Sequence, residues 1–391
     1  MKLNKLSTCL LSAGLAYLAC AAVPAMAQTA SITNTTSVTV YGILDTGVEY
    51  ITHANAAGNS VLRMPGITGS MPSRIGFRGT EDLGGGLAAQ FVLENGFNAR
   101  AGDINQGGRL FGRQAWVGIN SPYGLVSFGR QYNMMFWAIL DADIIGPDIY
   151  GGVGSFDAYI PNARSDNTVS YKGKFDSVTV GATYSFGRDG TGTGNSPGQG
   201  TCAGEVAGDT QACRDWSAML RYDGANFGIA TAYDRQQGGT GAAANFYNGV
   251  APFALTSSGD KDARTQLNGY FKAGDLKIGG GWLGRKVTAA IGNREVKSDQ
   301  YYLTAAYLFT PQFTLDGGYY RIINKQQDAR GSISVVRGTY ALSKRTAVYL
   351  QTAYLANSAQ AAYTLSQGGA GASPGKGMNQ WGTMIGMRHA F

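Results

Sequence analysis

The chain has 391 residues, a formal net charge of +7 and 15% charged residues, well under the roughly 25% of ordinary soluble domains. After the first 27 residues no apolar run approaches the roughly 18 that a membrane-spanning helix needs, and helical periodicity is nearly absent. These features exclude a helical membrane protein and argue against a soluble globular core, and the mild, unclustered positive charge offers no basic face to nucleic acid.

Lys2 and Lys5 precede an apolar run from Leu10 to Ala22, and Ala25-Met26-Ala27 forms a small-x-small cleavage site. This predicts a secretory signal peptide over residues 1–27, cleaved after Ala27, with residues 28–391 as the mature domain. Tyr17-Leu18-Ala19 before Cys20 fit a lipidation box poorly. Cleavage removes two lysines, so the mature chain stays mildly positive. Cys9 and Cys20 leave with the signal. Cys202 and Cys213 remain in a Gly/Thr-rich loop, and one such pair in an exported chain reads as a disulfide. A metal site there is disfavoured, because no histidine is near and four-ligand spacing is absent.

From Ser37 the chain alternates. Val38, Val40, Leu44, Val48 and Tyr50 take one parity against Thr39, Asp45 and Glu49. Similar segments follow at 73–81, 86–96, 110–120 and 124–131. Then one stretch breaks the rhythm, Gln131 to Ser165. It opens with Met134-Met135-Phe136-Trp137-Ala138-Ile139-Leu140 and carries Asp141, Asp143, Asp148 and Asp157 among glycines and prolines. A connection this long is usually functional or disordered, and its apolar anchors argue against disorder. An ordered loop is therefore expected over about 131–165. The competing reading, a short amphipathic core helix, suits the glycines and prolines poorly.

Alternation resumes at 167–174, 177–186, 215–222, 227–236, 262–271 and 276–286. It continues at 295–309, 312–323, 331–342, 345–356 and 379–391. The count is about sixteen strands, an even number as single-chain bacterial outer-membrane barrels have. Connections are short on one side (Asp82 to Gly85, Thr310-Pro311, Ser343-Lys344) and long on the other (His53 to Pro72, Phe97 to Arg109, Gly187 to Arg214), which is the barrel pattern. The expected fold is thus all-β, a transmembrane antiparallel barrel.

SVTVYGILDTGVEY, SRIGFRGTEDLGGGLAAQFVLENGF, RLFGRQAWVGINSPYGLVSFGRQY and the closing GMRHAF resemble the general porins of Gram-negative outer membranes, β-proteobacterial branch. The resemblance covers the whole mature chain. It implies a sixteen-stranded barrel assembled as a homotrimer, with the third external loop folded inward. It also implies basic side chains on the wall facing an acidic loop. Arg74, Arg113 and Arg164 match the wall positions, and Asp141, Asp143 and Asp148 lie in the loop. Ile43 stands near a position where some relatives carry a lumenal lysine. The implied partners are further copies of the chain, outer-membrane lipid and lipopolysaccharide, and small hydrophilic solutes and inorganic ions. No cofactor is implied.

Parity adds to this. Arg74 and Arg78 share a parity opposite Ile75 and Phe77, which points them to water; Arg78 reads as a solvated charge near the periplasmic rim. Gln114 neighbours Arg113 and is expected to point outward, as is Arg130 with Val126 and Phe128. An arginine facing lipid near the midplane costs about 2–4 kcal/mol. Both residues therefore mark a candidate subunit interface, unless Arg130 sits at headgroup level. His53 and His389 assemble no nucleophile–base pair. Gly279 to Gly284 matches G-x-G-x-x-G but lies inside a strand, without the strand-turn-helix a dinucleotide needs. The function expected is a passive pore with mild anion preference, not an enzyme; the alternative is a barrel serving as an adhesin or surface anchor.

Overall fold

The computed structural model describes residues 36–391 except 67, 191–199, 245–252, 290–291, 293 and 367–370. The expected signal peptide, with Cys9 and Cys20, lies outside the described residues. Sixteen antiparallel strands close into one barrel. They are β1 Ser37–Ile51, β2 Arg74–Gly84, β3 Leu87–Gly96, β4 Gln114–Ser121, β5 Gly124–Tyr132, β6 Arg164–Phe175, β7 Val178–Ser185 and β8 Asp215–Asp223, followed by β9 Phe227–Gln237, β10 Lys261–Ala273, β11 Leu276–Ala289, β12 Arg294–Thr310, β13 Phe313–Asn324, β14 Ala329–Ala341, β15 Thr346–Asn357 and β16 Gln380–Ala390. Each pairs with the next, and β1 closes on β16 from Ile43↔Ala390 to Ile51↔Gly382. Closure is what hydrocarbon requires, since an unpaired backbone group there finds no water.

Alternation fixes the two faces. On β1, Val38, Val40, Leu44, Val48 and Tyr50 are exposed while Ile43, Asp45 and Glu49 are buried. On β10, Leu267 and Phe271 are exposed while Asp262, Arg264 and Gln266 are buried. The outer face is thus apolar and the inner face polar. Eleven residues, the length of β2, cross about 25 Å at a rise of about 3.3 Å and a tilt of about 45°, the height of the apolar band in such barrels.

Two boundaries differ from the sequence reading. β4 begins at Gln114 rather than near Leu110, and β6 begins at Arg164 rather than Asn167. At the first, Leu110 gives its carbonyl to the Asn95 side chain instead of a ladder. The tight turn after β2 runs through Gly84, Gly85 and Gly86, all with φ between 61° and 81°. Only glycine adopts three such angles in a row without strain. At the other end of the barrel, Cys202 and Cys213 form the expected disulfide, with Cα atoms 5.2 Å apart. It packs with Ala242, Ala244, Leu255, Val287 and Ala289, tying two long loops and the end of β11 into one apolar knot.

Candidate functional site in the barrel lumen

Residues 133–163 connect β5 and β6. Asn133 Oδ1 accepts from Met135 N at 3.0 Å and caps α1, Met134–Ile139; α2 is Gly152–Phe156. Helices of six and five residues are too short to stand alone. Packing holds them: Met134, Met135, Ile139, Ile149, Val153 and Phe156 share one apolar cluster with the inward-facing Met219, Leu283, Tyr320, Ile333 and Val335. The segment's apolar anchors pack against buried side chains of β8, β11, β13 and β14. Neighbouring loops brace it. Ile149 N donates to Gly69 O at 2.9 Å, Thr68 Oγ1 to Pro147 O at 3.0 Å, and Ser155 Oγ to Leu365 O at 2.8 Å. A Cβ on Gly69 would collide with the Tyr349 hydroxyl, so only glycine lets that brace approach.

Every acid of the segment meets the wall it docks on. Asp141 binds Arg221 of β8 and Lys277 of β11, the latter at 3.1 Å. Burial opposes its ionisation, yet Lys277 and Arg221 hold its carboxyl below the ordinary value. Asp143 accepts from Tyr320 of β13 at 2.6 Å. Burial pushes it up to about 6, only partly offset by the Tyr320 hydroxyl and Gly146 N–H. Asp148 accepts from Arg337 of β14 at 2.9 Å and from Tyr150 N at 2.7 Å. Burial pushes it up to about 7 against the pull of Arg337, which also binds Asp316 at 3.0 Å. Asp157 takes Arg264 of β10 at 2.7 Å and Arg285 of β11 at 3.7 Å.

The predicted arginines gather elsewhere. Arg113 Nε lies 2.6 Å and Arg74 Nε 3.7 Å from the two oxygens of Glu94 on β3, and Tyr41 OH donates to the same carboxylate at 2.9 Å. Arg113 Nη2 and Arg164 Nη2 donate to the Tyr132 hydroxyl at 2.8 and 3.0 Å. So Arg74, Arg113 and Arg164 do come together, through Glu94 and Tyr132. Asp141, Asp143 and Asp148 instead take their partners, Arg221, Lys277, Tyr320 and Arg337, from across the lumen. Ile43 is inward and buried. Sequence reasoning named Asp157 among the segment's acids without placing it at the site, and it missed Glu94, Tyr132 and the wall cations Arg221, Arg264, Lys277, Arg285 and Arg337. Inward parity could have found the strand residues among them: Arg264 alternates with the outward Leu267, and Arg337 with the outward Val336.

Two orientations need correction. Gln114 points inward: it pairs with the buried Glu94 and accepts from Trp116 Nε1 at 3.0 Å, while Val117 and Ile119 take the outer face. Arg113 precedes the ladder, so strand parity cannot be counted from it. Arg130 is 7% exposed, its Nε donating to Gly112 O at 2.7 Å and its Nη1 to Asp166. The register shift between Gly129 and Gln131 brings that partner within reach. The chain therefore meets the burial cost of Arg130 by itself, and the parity argument for an interface at these two residues falls away.

Known proteins of the same shape exist. The family model for Gram-negative porins matches residues 14–360. Outer membrane porin protein 32 of Delftia acidovorans is 31% identical over 372 residues, 91% of this chain and 94% of that protein. Among solved structures, an anion-selective porin from Comamonas acidovorans superposes with a TM-score of 0.73 at 25% identity, covering 91% of this chain and all of that one. OmpT of Vibrio cholerae, in a trimer form, gives 0.60 at 16% identity over 91% of this chain, a likeness of fold alone.

Proposed function

The chain belongs to the Gram-negative porin family, and from that premise we propose that it forms a general diffusion channel with a mild preference for anions. It passes small hydrophilic solutes and ions down their gradients and performs no chemistry on them. The observation that carries the sign of the preference is the sharing of one carboxylate, Glu94, by both Arg74 and Arg113. Of the acids of residues 133–163, Asp141, Asp148 and Asp157 are meanwhile engaged by cations of the opposite wall and Asp143 by the Tyr320 hydroxyl. In this reading residues 133–163 are the constriction. Arg74, Arg113 and Arg164 form its basic side, and Asp141, Asp143 and Asp148 serve to pin the loop more than to face the permeant ion. Two unit charges about 4 Å apart interact by about 4 kcal/mol at an effective dielectric of 20 but about 1 in water. A wet lumen therefore gives a several-fold bias and not exclusion.

The same reading places the mature chain, cleaved after Ala27, in the outer membrane as a homotrimer among lipid and lipopolysaccharide, with the joined β1 and β16 at the contact. Reconstitution tests it. Liposomes carrying the protein should swell in neutral sugars at rates that fall steeply with sugar size, and planar bilayers should show stable conductance steps. A barrel that conducts nothing and admits no sugar would be an anchor or adhesin instead.

A further inference from the structure

Along β6 beyond Arg164 stands Lys172, paired with Leu125 of β5 and Gly181 of β7. A Cβ on Gly181 would strike Met134, so this row faces the docked segment. The Lys172 ammonium lies 3.8 Å from the centre of the Trp137 ring, and among the described residues it makes no ion pair with a carboxylate. Trp137 is itself the odd member of α1. Met134, Met135, Phe136, Ala138 and Ile139 are buried, whereas the indole stays partly open. Tyr132 and Phe136 stack at 3.7 Å, and both meet Trp137 edge-on at 5.9 and 5.3 Å. The Arg164 guanidinium covers the Tyr132 ring at 4.6 Å. The result is an unbroken aromatic strip with a guanidinium at one end and an ammonium at the other.

The geometry points to a subsite for aromatic monocarboxylates, anions of the benzoate type, with the carboxylate on Lys172 and the ring against the Trp137 indole. The inference rests on the channel reading above and refines it. A cation held against a ring face has no anion beside it to cancel its charge, whereas one held by a carboxylate does. A part-open indole in an aqueous passage offers an incoming ring an offset or edge contact. A saturated acid of the same size takes the charge contact and forgoes the ring contact. Benzoate should therefore outcompete cyclohexanecarboxylate, although the latter is the more apolar.

The test measures block of chloride current in planar bilayers by sodium benzoate and by sodium cyclohexanecarboxylate. Wild type should need about two- to tenfold less benzoate for half-block, the worth of one aromatic pair. Trp137→Leu should bring the two acids level, Trp137→Phe should keep part of the difference, and Lys172→Gln should weaken both alike. Equal block by the two acids in a wild type that still favours chloride over potassium overturns the subsite and leaves the channel reading intact. No chloride preference at all overturns the reading beneath it. If Trp137→Leu does not assemble, Trp137→Phe and Lys172→Gln decide alone: a benzoate preference that Trp137→Phe leaves whole, or block by both acids that Lys172→Gln leaves as strong as in wild type, contradicts the assignment.

Discussion

Across the lumen, Arg337 on β14 sits between Asp148 and Asp316, while Arg74 on β2 and Arg113 ahead of β4 share the single Glu94. On the first side charge is used as a fastener. Each acid of residues 133–163 is tied to a wall partner within a densely apolar contact that includes Met135, Ile149, Tyr320 and Ile333. On the second side arginines are drawn together, held by one carboxylate and the Tyr132 hydroxyl. Like charges in one place cost energy, and a buried ion adds stability only when it is paired well. In the channel proposed above, this cluster is what acts on a passing ion. The comparison teaches that the field along the lumen depends on which wall the loop's acids reach as well as on how many there are.

The largest effect should come from breaking the fastened side. Arg337→Ala leaves Asp148 and Asp316 buried without their shared cation, and breaking a buried pair in this way costs about 3–5 kcal/mol. Heat-modifiability on gels should fall by many degrees, and single channels should become noisy as the segment loosens. Arg74→Ala should cost clearly less in the same assay, because Glu94 keeps Arg113 at 2.6 Å. Equal losses in the two variants would erase the distinction between the sides.

A pH series sharpens it. Asp148 is pushed up to about 7 and Asp143 to about 6, both above the ordinary carboxylate value. A raised folded-state value means the folded protein binds protons more tightly than the unfolded chain. Stability should therefore decline as pH rises from about 4 through 7 and then level off. Protonation on the way down also removes negative charge from the lumen, so anion preference should grow between pH 8 and pH 5. A preference that shrinks on acidification would show that other groups control the field. Arg130→Glu brings a second acid to Asp166 and should destabilise the β5–β6 join while leaving the trimer band on mild-detergent gels in place at permissive temperature.

The smallest effect belongs to the disulfide. A loop of about this size is worth about 3 kcal/mol in the chain-entropy model. Here that acts on the external knot around Leu255 and Val287 rather than on the barrel. Cys202→Ser with Cys213→Ser should leave ion preference within error and make the external loops cut more readily by protease. Alkylation of the folded, unreduced protein should label neither cysteine.

The period-2 alternation of Val38, Val40, Leu44 and Val48 made the barrel legible, because a strand buried on one face and bathed in lipid on the other has no other way to be written. The interruption after Tyr132 was legible for the same reason. Inward placement of Arg74 followed from its parity with Gly76. Gln114 and Arg130 were misjudged where local counting fails, one before its ladder begins and one at a register shift. The partners of Asp141, Asp148 and Asp157 lie on β8, β10, β11 and β14, far along the chain. How far a loop reaches across a barrel is decided by packing, which no short motif records.

If the basic side of the lumen sets the sign of selectivity, the zero-current potential across a potassium chloride gradient reads it directly. The measurement compares wild type, Arg74→Glu with Arg113→Glu, and Arg264→Gln as a control from the fastened side. Wild type should favour chloride, more in dilute salt than at 1 M, where the Debye length falls from about 10 Å at 0.1 M to about 3 Å. The double reversal should move the potential toward potassium by more than the control does. A potential unchanged by reversing both charges, or moved as far by the control, would contradict a basic side that governs selectivity.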